Sequence, residues 1–454
     1  MSENLFSLSM NDDTNLSAAR GWLTLALSSL VGAGLVVILI ILARMPVIHD
    51  LIPWTGSFKT ALVVHVDLTV LVWFLSFAGF LASLTIASRA EKNARIALAL
   101  SATGAILLTF SPFLGADRPF INNYVPVLAN AAFFSGLACF AAGFFAVTLP
   151  ALSKQRAATH PGEKSLQFGL TSSFLIAWLA LGLLVWSYVR LPGHLLQTDG
   201  AHYFELLFWG SGHVLQFTYT QLEIVAWFWL ASALGRRTSL TPNGLVILFI
   251  LGALPTVVAP IQYLMFDLDS PEFRLAMTNL MAYGNGAAAI PAALILLHAL
   301  SRAQNTATPS RPEQLALLFS LVLFAFGGII GFLIRGVNVT IPAHYHGSIV
   351  SITLAFMGVT YHVIPRLGGC RIAEQWASRQ LILYSSGSLL HILGLAWSGS
   401  HGVQRKTEGS AQGLVTLADK IPMWIMGLGG IIAVLGGIMF LVLAFRSLRR
   451  EGSN

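Results

Sequence analysis

Twelve long apolar stretches constrain the fold of this chain more than any other feature. A helix that spans a lipid bilayer needs ~20 mainly apolar residues, and every stretch approaches or exceeds that length. The stretches cover residues 21–43, 60–88, 96–113, 127–150, 169–189, 204–235, 244–265, 274–300, 315–336, 343–365, 380–398 and 422–445. No segment has the ~10-residue alternation of an outer-membrane barrel strand. The sequence therefore predicts an all-α, polytopic integral membrane bundle of twelve transmembrane helices.

The composition excludes most other classes of protein. Only 10% of the residues are charged, whereas soluble domains carry roughly 25%, and disordered chains are more polar still. The net charge of +7 is a topology signal in a membrane protein and does not indicate a nucleic-acid partner. Two cysteines, Cys139 and Cys370, cannot form a disulfide framework, so we interpret them as packing residues.

The connections are short, so the sequence predicts one membrane domain with short polar ends. We expect a polar cytoplasmic N-terminus over residues 1–20, the membrane domain over 21–446 and a basic cytoplasmic tail over 447–454. Most of the 26 Lys and Arg residues fall on the side that carries the N-terminus, which places both termini in the cytoplasm. The first 19 residues lack a basic n-region and are not a signal peptide. A multi-pass protein of the inner (plasma) membrane is expected.

Four of the twelve histidines fall at one predicted depth of the membrane. His65, His213, His344 and His346 lie in spans two, six and ten, which all enter from outside, so a rise of ~1.5 Å per residue places them in the outer third. Ionisable residues inside spans are rare and usually functional. The other eight are interpreted as ordinary solvated or hydrogen-bonded histidines: His49, His160, His194, His202, His298, His362, His391 and His401.

The spacing of His344 and His346 restricts what these two side chains can bind. Successive helical residues turn by ~100°, so the two rings point ~200° apart and cannot chelate one ion from one helix face. They can each ligate a different iron on opposite sides of the helix. His65 can then complete a six-coordinate haem with one of them, since histidine is a common axial haem ligand.

At these residues the chain resembles subunit I of the haem–copper oxidoreductase superfamily, which includes terminal oxygen reductases and nitric oxide reductases. The run from Ile341 to Gly347 resembles the span-ten motif, in which the first histidine holds the high-spin haem and the second the low-spin haem. The resemblance implies that His344 is the high-spin ligand and that His65 and His346 are the low-spin pair. The overall pattern is most similar to the shorter B-type oxidases and their nitric oxide-reducing relatives.

The resemblance also implies a non-haem metal site, copper or iron, on span six. The run from Trp209 to His213 resembles the motif whose histidine binds this metal. The family normally adds a His-His pair just after span seven, and this chain has none. Gln262 and Tyr263 fall near those positions and are the candidate replacements, although such a set suits copper poorly.

Two haems are implied in total, and we expect them to be of b type. The run from Ser400 to Lys406 resembles the loop after span eleven, whose basic pair holds haem propionates. Arg405 and Lys406 fill that position, and two cations that face carboxylates form strong charge-assisted hydrogen bonds.

The resemblance implies a gaseous substrate, nitric oxide or oxygen. A- and B-type oxygen reductases have a redox tyrosine four residues after the span-six histidine. The better-known nitric oxide reductases have a glutamate at that position. Phe217 occupies this position here. Reduction of two nitric oxide molecules needs only two electrons, so nitric oxide is favoured. The alternatives are an oxygen reductase with an atypical metal site, a non-catalytic haem-binding electron-transfer or gas-sensing protein, and a transporter without haem.

Protons must reach the reduction site, and few polar residues in the spans can carry them. Glu205, Glu223 and Tyr219 are the candidates for proton transfer. A surface acid at Glu205 and ordinary interhelical hydrogen bonding by Tyr219 are the alternatives. Asp67 is interpreted as an acid with a structural hydrogen bond.

Partners follow from what this chain lacks. It carries no electron-donor domain of its own, so we expect an outer-face subunit with a cupredoxin copper or haem c. That subunit is expected near the loops at 114–126, 191–203 and 399–421. Membrane lipid is the other expected partner, and no nucleic acid is expected.

Overall fold

The computed structural model describes residues 6–10, 15–51, 57–86, 91–115, 118–236, 238–302 and 311–449. The predicted N-terminal segment 1–20 and tail 447–454 lie partly outside these residues. The α-helices are α1 (Leu16–Leu42), α2 (Phe58–Val66), α3 (Trp73–Thr85), α4 (Glu91–Phe110), α5 (Ala131–Ser153), α6 (Pro161–Arg190), α7 (Gly193–Thr198), α8 (Gly200–Ala233), α9 (Pro242–Ala253), α10 (Val258–Met265), α11 (Pro271–Asn279), α12 (Gly286–Ser301), α13 (Arg311–Phe332), α14 (Thr340–Val363), α15 (Glu374–Ser400) and α16 (Leu417–Arg449).

The all-α membrane architecture is confirmed. In the described chain the only strands are β1 (Pro119–Phe120) and β2 (Val127–Leu128), which pair antiparallel with Pro119 opposite Leu128. Eleven helical segments of the described chain are long and apolar enough to cross a membrane. The sixth predicted span is not among them. It is nevertheless one continuous helix, α8, of 34 residues, and polar side chains spread along it lower its mean hydropathy.

Three spans that the sequence predicts as single helices are interrupted. Span two passes from α2 to α3 through a π-helical segment at Asp67–Val72, and span eight passes from α11 to α12 through another at Leu280–Gly284. Span seven changes from α9 to α10 through a 3₁₀ turn at Leu254–Val257, because Pro255 has no backbone N–H to continue the helix. Single π-helical turns often occur at functional sites, and one of these follows His65 directly.

Contacts divide the chain into two compact units. Unit 1 comprises residues 1–29 and 66–304, and unit 2 comprises residues 30–65 and 305–454. In unit 1, α4 packs on α5 and α6 packs on α8. In unit 2, α13 packs on α14 and α15 packs on α16. Some of the predicted site residues therefore lie in unit 1 and others in unit 2.

Glycines bring the helix backbones of unit 2 into close contact. Where α13 crosses α14, a Cβ added to Gly327 would lie 2.8 Å from the backbone nitrogen of Ser348. Gly347 faces the backbone of Gly327 at the same crossing. The α15–α16 pair is equally close, since a Cβ on Gly387 or Gly429 would meet backbone atoms of the opposite helix. Small residues permit this kind of close helix packing in membranes.

In unit 1 the segment at residues 6–10 is fixed to the helices by a buried ion pair. Glu163, at the start of α6, contacts the guanidinium of Arg156 at 2.5 Å, and both side chains are buried. The same carboxylate accepts hydrogen bonds from the backbone N–H and the hydroxyl of Ser9. The ring of Phe6 packs edge-on against Phe228 of α8. This network defines where the described N-terminal segment lies.

Candidate functional site

Three histidines of unit 2 lie close together, and the sequence predicted only two of them. His65 is at the end of α2, His346 is in the first turns of α14, and His391 is midway along α15. The ring centroids of His346 and His391 are 4.9 Å apart, and His391 lies within charge-interaction range of His65. The interpretation of His391 as an ordinary histidine missed this placement. Its only sequence signal was its position in the middle of a span.

The three imidazoles share one hydrogen-bonding pattern. Each presents Nδ1 to a backbone carbonyl, and because a carbonyl can only accept, each Nδ1 carries the proton. The acceptors are the oxygens of Ala33 at 3.3 Å for His65, Pro342 at 2.7 Å for His346 and Met426 at 2.9 Å for His391. Metal-ligating histidines typically donate their other N–H in this way. Nε2 is thereby the unprotonated nitrogen of each ring and the one free to accept a metal, and all three side chains are half-buried.

A buried cation accompanies this cluster. Arg44, just after α1, is buried and donates to the backbone carbonyl of Gln404 and the side-chain oxygen of Gln412. Burial lowers the pKa of Arg44 to about 10, opposed by the nearby Tyr345 and Glu408, so the guanidinium stays protonated at neutral pH. No sequence motif marks Arg44.

The predicted propionate-binding pair lies in a loop of the same unit. Arg405 and Lys406 follow the isolated bridge that joins Asn338 to Gln404, and both are half-buried. Lys406 has a positive φ of 60°. Arg405 lies within charge-interaction range of Tyr345, as Arg44 does. Two guanidinium groups therefore converge on the residue that precedes His346.

His344 faces a different helix from His346. Its Nδ1 donates to the carbonyl oxygen of Gly327 on α13 at 2.8 Å, whereas the His346 ring contacts α15. A Cβ on Gly331 would lie 2.7 Å from His344 Nδ1, so glycine at this position lets the ring approach α13. The two rings leave α14 in different directions, as their spacing requires.

In unit 1, His213 is enclosed by aromatic rings. It is buried in α8, and its Nδ1 donates to the carbonyl oxygen of Trp209 at 2.6 Å. The ring centroids of Trp209 and Tyr124 lie 4.6 Å and 4.7 Å from the imidazole. Arg274 lies over the Trp209 ring at 5.8 Å. Tyr124 comes from the loop between β1 and β2, and nothing in the sequence marked it.

Gln262 and Tyr263, the predicted replacements for the missing histidine pair, are engaged by other groups. The Tyr263 hydroxyl hydrogen-bonds with Ser187 Oγ at 2.9 Å and packs against Gly210 of α8. The Gln262 amide donates to the carbonyl of Ala276 at 3.3 Å. Within the described ranges, no three His, Cys, Asp or Glu residues are placed to hold a metal ion. These residues do not fit a complete non-haem metal site.

Glu205 lies close to the start of α8. It is half-buried and accepts a hydrogen bond from Asn123. This contact fits the alternative of a surface acid as well as it fits a proton inlet.

Deeper in unit 1, several buried polar groups gather near α8. Tyr219 is 1% exposed and packs against the ring of Phe74 at 5.0 Å. Its hydroxyl and both carboxylate oxygens of Asp67 have no hydrogen-bond partner among the described residues, and the two side chains lie within charge-interaction range. The expected structural hydrogen bond of Asp67 is therefore not seen among the described residues. Glu223 is fully buried one turn further along α8.

Comparison with known proteins agrees with this architecture. A cryo-EM structure described as a heme-copper terminal oxidase dimer has the same fold, with a TM-score of 0.75 and 14% identity. The match covers 97% of this chain and 85% of that chain. This likeness shows that the two proteins share a fold. The family profile described as Cytochrome C and Quinol oxidase polypeptide I matches residues 17–432, and the chain belongs to this family.

Two relatives extend the comparison without adding an assigned function. An uncharacterized protein of Rickettsia prowazekii (strain Madrid E) is 28% identical, and the alignment covers 97% of this chain and 98% of that protein. An uncharacterized protein of Aquifex aeolicus (strain VF5) is 28% identical over 76% of this chain and 84% of its own length. Membership of the family makes the chain an integral membrane oxidoreductase subunit.

The residues of unit 2 fit the haems that this family binds. His65 and His346 hold their Nδ1 protons on backbone carbonyls and keep part of their surface accessible. Arg44 supplies a buried positive charge beside them, which suits a carboxylate-bearing group. His344 carries the same ligand-type hydrogen bond on a different side of α14.

Proposed function

We propose that this chain is subunit I of a membrane-bound terminal reductase, with nitric oxide as its substrate and nitrous oxide and water as its products. The observation that carries the proposal is the arrangement of unit 2, where His65 and His346 present ligand-type imidazoles beside buried Arg44. His344 presents another toward a different helix. Two haems held by one helix in this way separate electron entry from gas reduction.

His65 and His346 would hold the low-spin haem, and Arg44, Arg405 and Lys406 would supply positive charge for its propionates. Such a haem, when bound, supplies reversible one-electron transfer. The backbone acceptors of the two Nδ1 protons orient the rings and increase the basicity of Nε2. The buried guanidinium of Arg44 favours the more negative, reduced form of any redox group beside it.

His344 is the proposed single axial ligand of the high-spin haem. Its hydrogen bond to Gly327, on the closely packed α13, fixes the ring in the same way. With a single protein ligand, that haem would supply a binding position for a gaseous substrate. His213 remains the candidate ligand for a non-haem metal, copper or iron. Gln262 and Tyr263 are engaged by other groups, so no step of the proposed reaction involves that metal.

Phe217 supports nitric oxide as the substrate. Its side chain is 1% exposed, and its ring tip would lie 3.2 Å from a Cβ on Gly284. The position at which A- and B-type oxygen reductases have a phenol therefore holds a packed hydrocarbon ring. Two nitric oxide molecules, two electrons and two protons give nitrous oxide and water, so no additional electron from a side chain is needed.

The two protons pass, in this proposal, along the polar groups of α8. Tyr219 and Glu223 are buried about one turn apart, and the Tyr219 hydroxyl has no hydrogen-bond partner among the described residues. Buried polar groups of this kind usually recruit water. Glu205, nearer the helix start, is the proposed inlet.

Oxygen reduction is the second candidate, because one phenol does contact α8. The Tyr263 hydroxyl packs against Gly210, three residues before His213, and hydrogen-bonds with Ser187. A phenol there could donate one electron and one proton to oxygen. In the oxygen case Tyr263→Phe abolishes oxygen turnover, whereas in the nitric oxide case it leaves gas turnover within a few-fold of wild type.

We further propose that the chain lies in the inner (plasma) membrane and receives electrons on its outer face. A donor subunit with a cupredoxin copper or haem c would dock at the outer loops, including 399–421, which carries Arg405. Purification of the intact complex under mild detergent tests this idea. A second redox subunit is expected to co-purify with the chain. Full activity of the isolated chain in a membrane extract without any protein electron donor would contradict the proposal.

The deciding experiment is turnover of both gases by the purified protein. Its haem and metal contents are measured first, and an artificial small-molecule donor then drives nitric oxide and oxygen consumption at gas electrodes. Nitric oxide consumption with stoichiometric nitrous oxide is expected. Oxygen turnover without nitric oxide turnover would establish the second candidate. Two haems without reduction of either gas would indicate an electron-transfer or sensing protein. Absence of haem would refute the proposed function, and the chain would then share only its fold with the terminal oxidases.

A further inference from the structure

Unit 2 offers three ligand-type imidazoles for the two axial positions of one haem. His65 and His346 are the proposed pair, yet His391 lies 4.9 Å from the His346 ring, centroid to centroid. The rings are inclined by 57°. The described residues include no group of three placed around a single metal ion. His391 is therefore a competitor for an axial position rather than part of a three-imidazole ion site.

The position of His391 is fixed by close packing of α15 on α16. Its Nδ1 donates to the carbonyl of Met426 at 2.9 Å. A Cβ on Gly430 would lie 3.1 Å from this nitrogen, and a Cβ on Gly429 would meet the His391 backbone. Glycine at both positions thus permits α16 to approach and to supply the acceptor. The packing sets the tautomer and directs Nε2 away from α16.

The hydrogen bonding of His391 matches that of His346. Among the described residues the only hydrogen bond of His391 is that of Nδ1, as is the case for His346. The Nε2 atoms of the two residues are therefore both unprotonated, and both are suited to bind iron.

We propose that His391 is an alternative axial ligand of the low-spin haem, able to replace His346 opposite His65. The inference rests on the low-spin site of the proposed function. Taking over the position of the His346 ring requires a displacement no larger than the 4.9 Å between the two ring centroids. Rotation about the His391 side-chain bonds would supply this movement while α15 stays in place, and it would exchange the Nδ1 hydrogen bond to Met426 for a bond from Nε2 to iron.

The test removes the two histidines singly and together in the full chain. The variants are His346→Ala, His391→Ala and the double variant, purified in detergent and examined by electron paramagnetic resonance and near-infrared magnetic circular dichroism. His346→Ala is expected to retain most of the six-coordinate, bis-histidine low-spin signal, with shifted g-values. The double variant is expected to lose it to a five-coordinate high-spin form. His391→Ala should keep the wild-type signal.

His49 provides the matched control. It lies in unit 2 and also presents Nδ1 to a carbonyl, that of Met45 at 3.1 Å, but outside the cluster. His346→Ala combined with His49→Ala should therefore remain low-spin. Added imidazole should restore the low-spin signal in the double variant His346→Ala/His391→Ala and leave His346→Ala unchanged, which shows that the pocket is still folded.

The possible results distinguish failure of the role proposed for His391 from failure of the proposed low-spin haem site. A high-spin spectrum for His346→Ala alone, equal to that of the double variant, overturns the inference and leaves the proposed low-spin site intact. A low-spin signal that persists in the double variant also overturns it, because another ligand is then present. A wild-type protein that binds no haem refutes the proposed function itself.

Discussion

Replacement of Gly327 by alanine tests how the helix crossing positions His344. Gly327 contributes to this site twice, since its carbonyl accepts the His344 Nδ1 hydrogen bond at 2.8 Å and its missing side chain lets α14 approach. A Cβ at residue 327 would lie 2.8 Å from the nitrogen of Ser348 and 2.9 Å from the carbonyl carbon of Gly347. Both are backbone atoms, so no side-chain rotation relieves the contact.

The required displacement can be estimated from these distances. Comfortable contact between heavy atoms needs roughly 3.5 Å, so α14 must move away from α13 by about 0.7 Å. Functional side chains tolerate displacements of only about 0.5 Å. Overpacking of this kind costs about 1–3 kcal/mol. We expect lower thermal stability and partial loss of the high-spin haem, while the low-spin haem stays bound.

Gly328→Ala is the matched control, because a Cβ at that neighbouring position meets nothing within 4 Å. Carbon monoxide binding to the reduced protein reports the high-spin haem, and the total haem assay reports both. Gly327→Ala should bind less carbon monoxide per protein and unfold at lower temperature, whereas Gly328→Ala should resemble wild type. Equal behaviour of the two variants would refute the packing argument.

Three further predictions concern single side chains. Glu163→Gln leaves the buried Arg156 without its charge partner and should lower the free energy of unfolding by about 3 kcal/mol. The melting temperature should fall accordingly, and an unchanged melting temperature would contradict the buried ion pair. Arg44→Gln removes a buried cation and should lower the midpoint potential of the low-spin haem by on the order of 59 mV, a tenfold change in a one-electron equilibrium. A redox titration measures this, and the exposed Arg335→Gln should show no shift. Tyr219→Phe should reduce nitric oxide turnover by about a hundredfold with an unchanged haem spectrum; normal turnover would remove Tyr219 from the proton path.

The sequence predicted the architecture well because hydropathy along the chain is a local property. The apolar stretches correspond to helices of the structure, and the helical angle between His344 and His346 matches their contacts with different helices. The breaks were not predicted. Pro255 was visible in the sequence, but a proline inside a span can bend a helix without interrupting it. The π-helical segment at Asp67–Val72 has no sequence signature at all.

Neighbourhood in space was much harder to predict than depth in the membrane. His391 and Arg44 were assigned to the correct helix or loop, yet nothing along the chain indicates that α15 turns one face toward His346. That contact depends on how close α16 comes, which Gly429 and Gly430 determine. Gln262 and Tyr263 illustrate the converse, because their alignment with a ligand motif did not reveal their contacts with Ala276 and Ser187.

The discontinuity of unit 2 has a consequence for biogenesis. Its first part, residues 30–65, leaves the ribosome long before its second part, residues 305–454. At ~5–20 residues per second, the histidine of span two waits for tens of seconds before its partners on α14 and α15 are synthesised. In the proposed function the low-spin haem ligands come together only late in synthesis. Haem would then bind a nearly complete polypeptide, and a translation product that ends before α14 would contain His65 without His346.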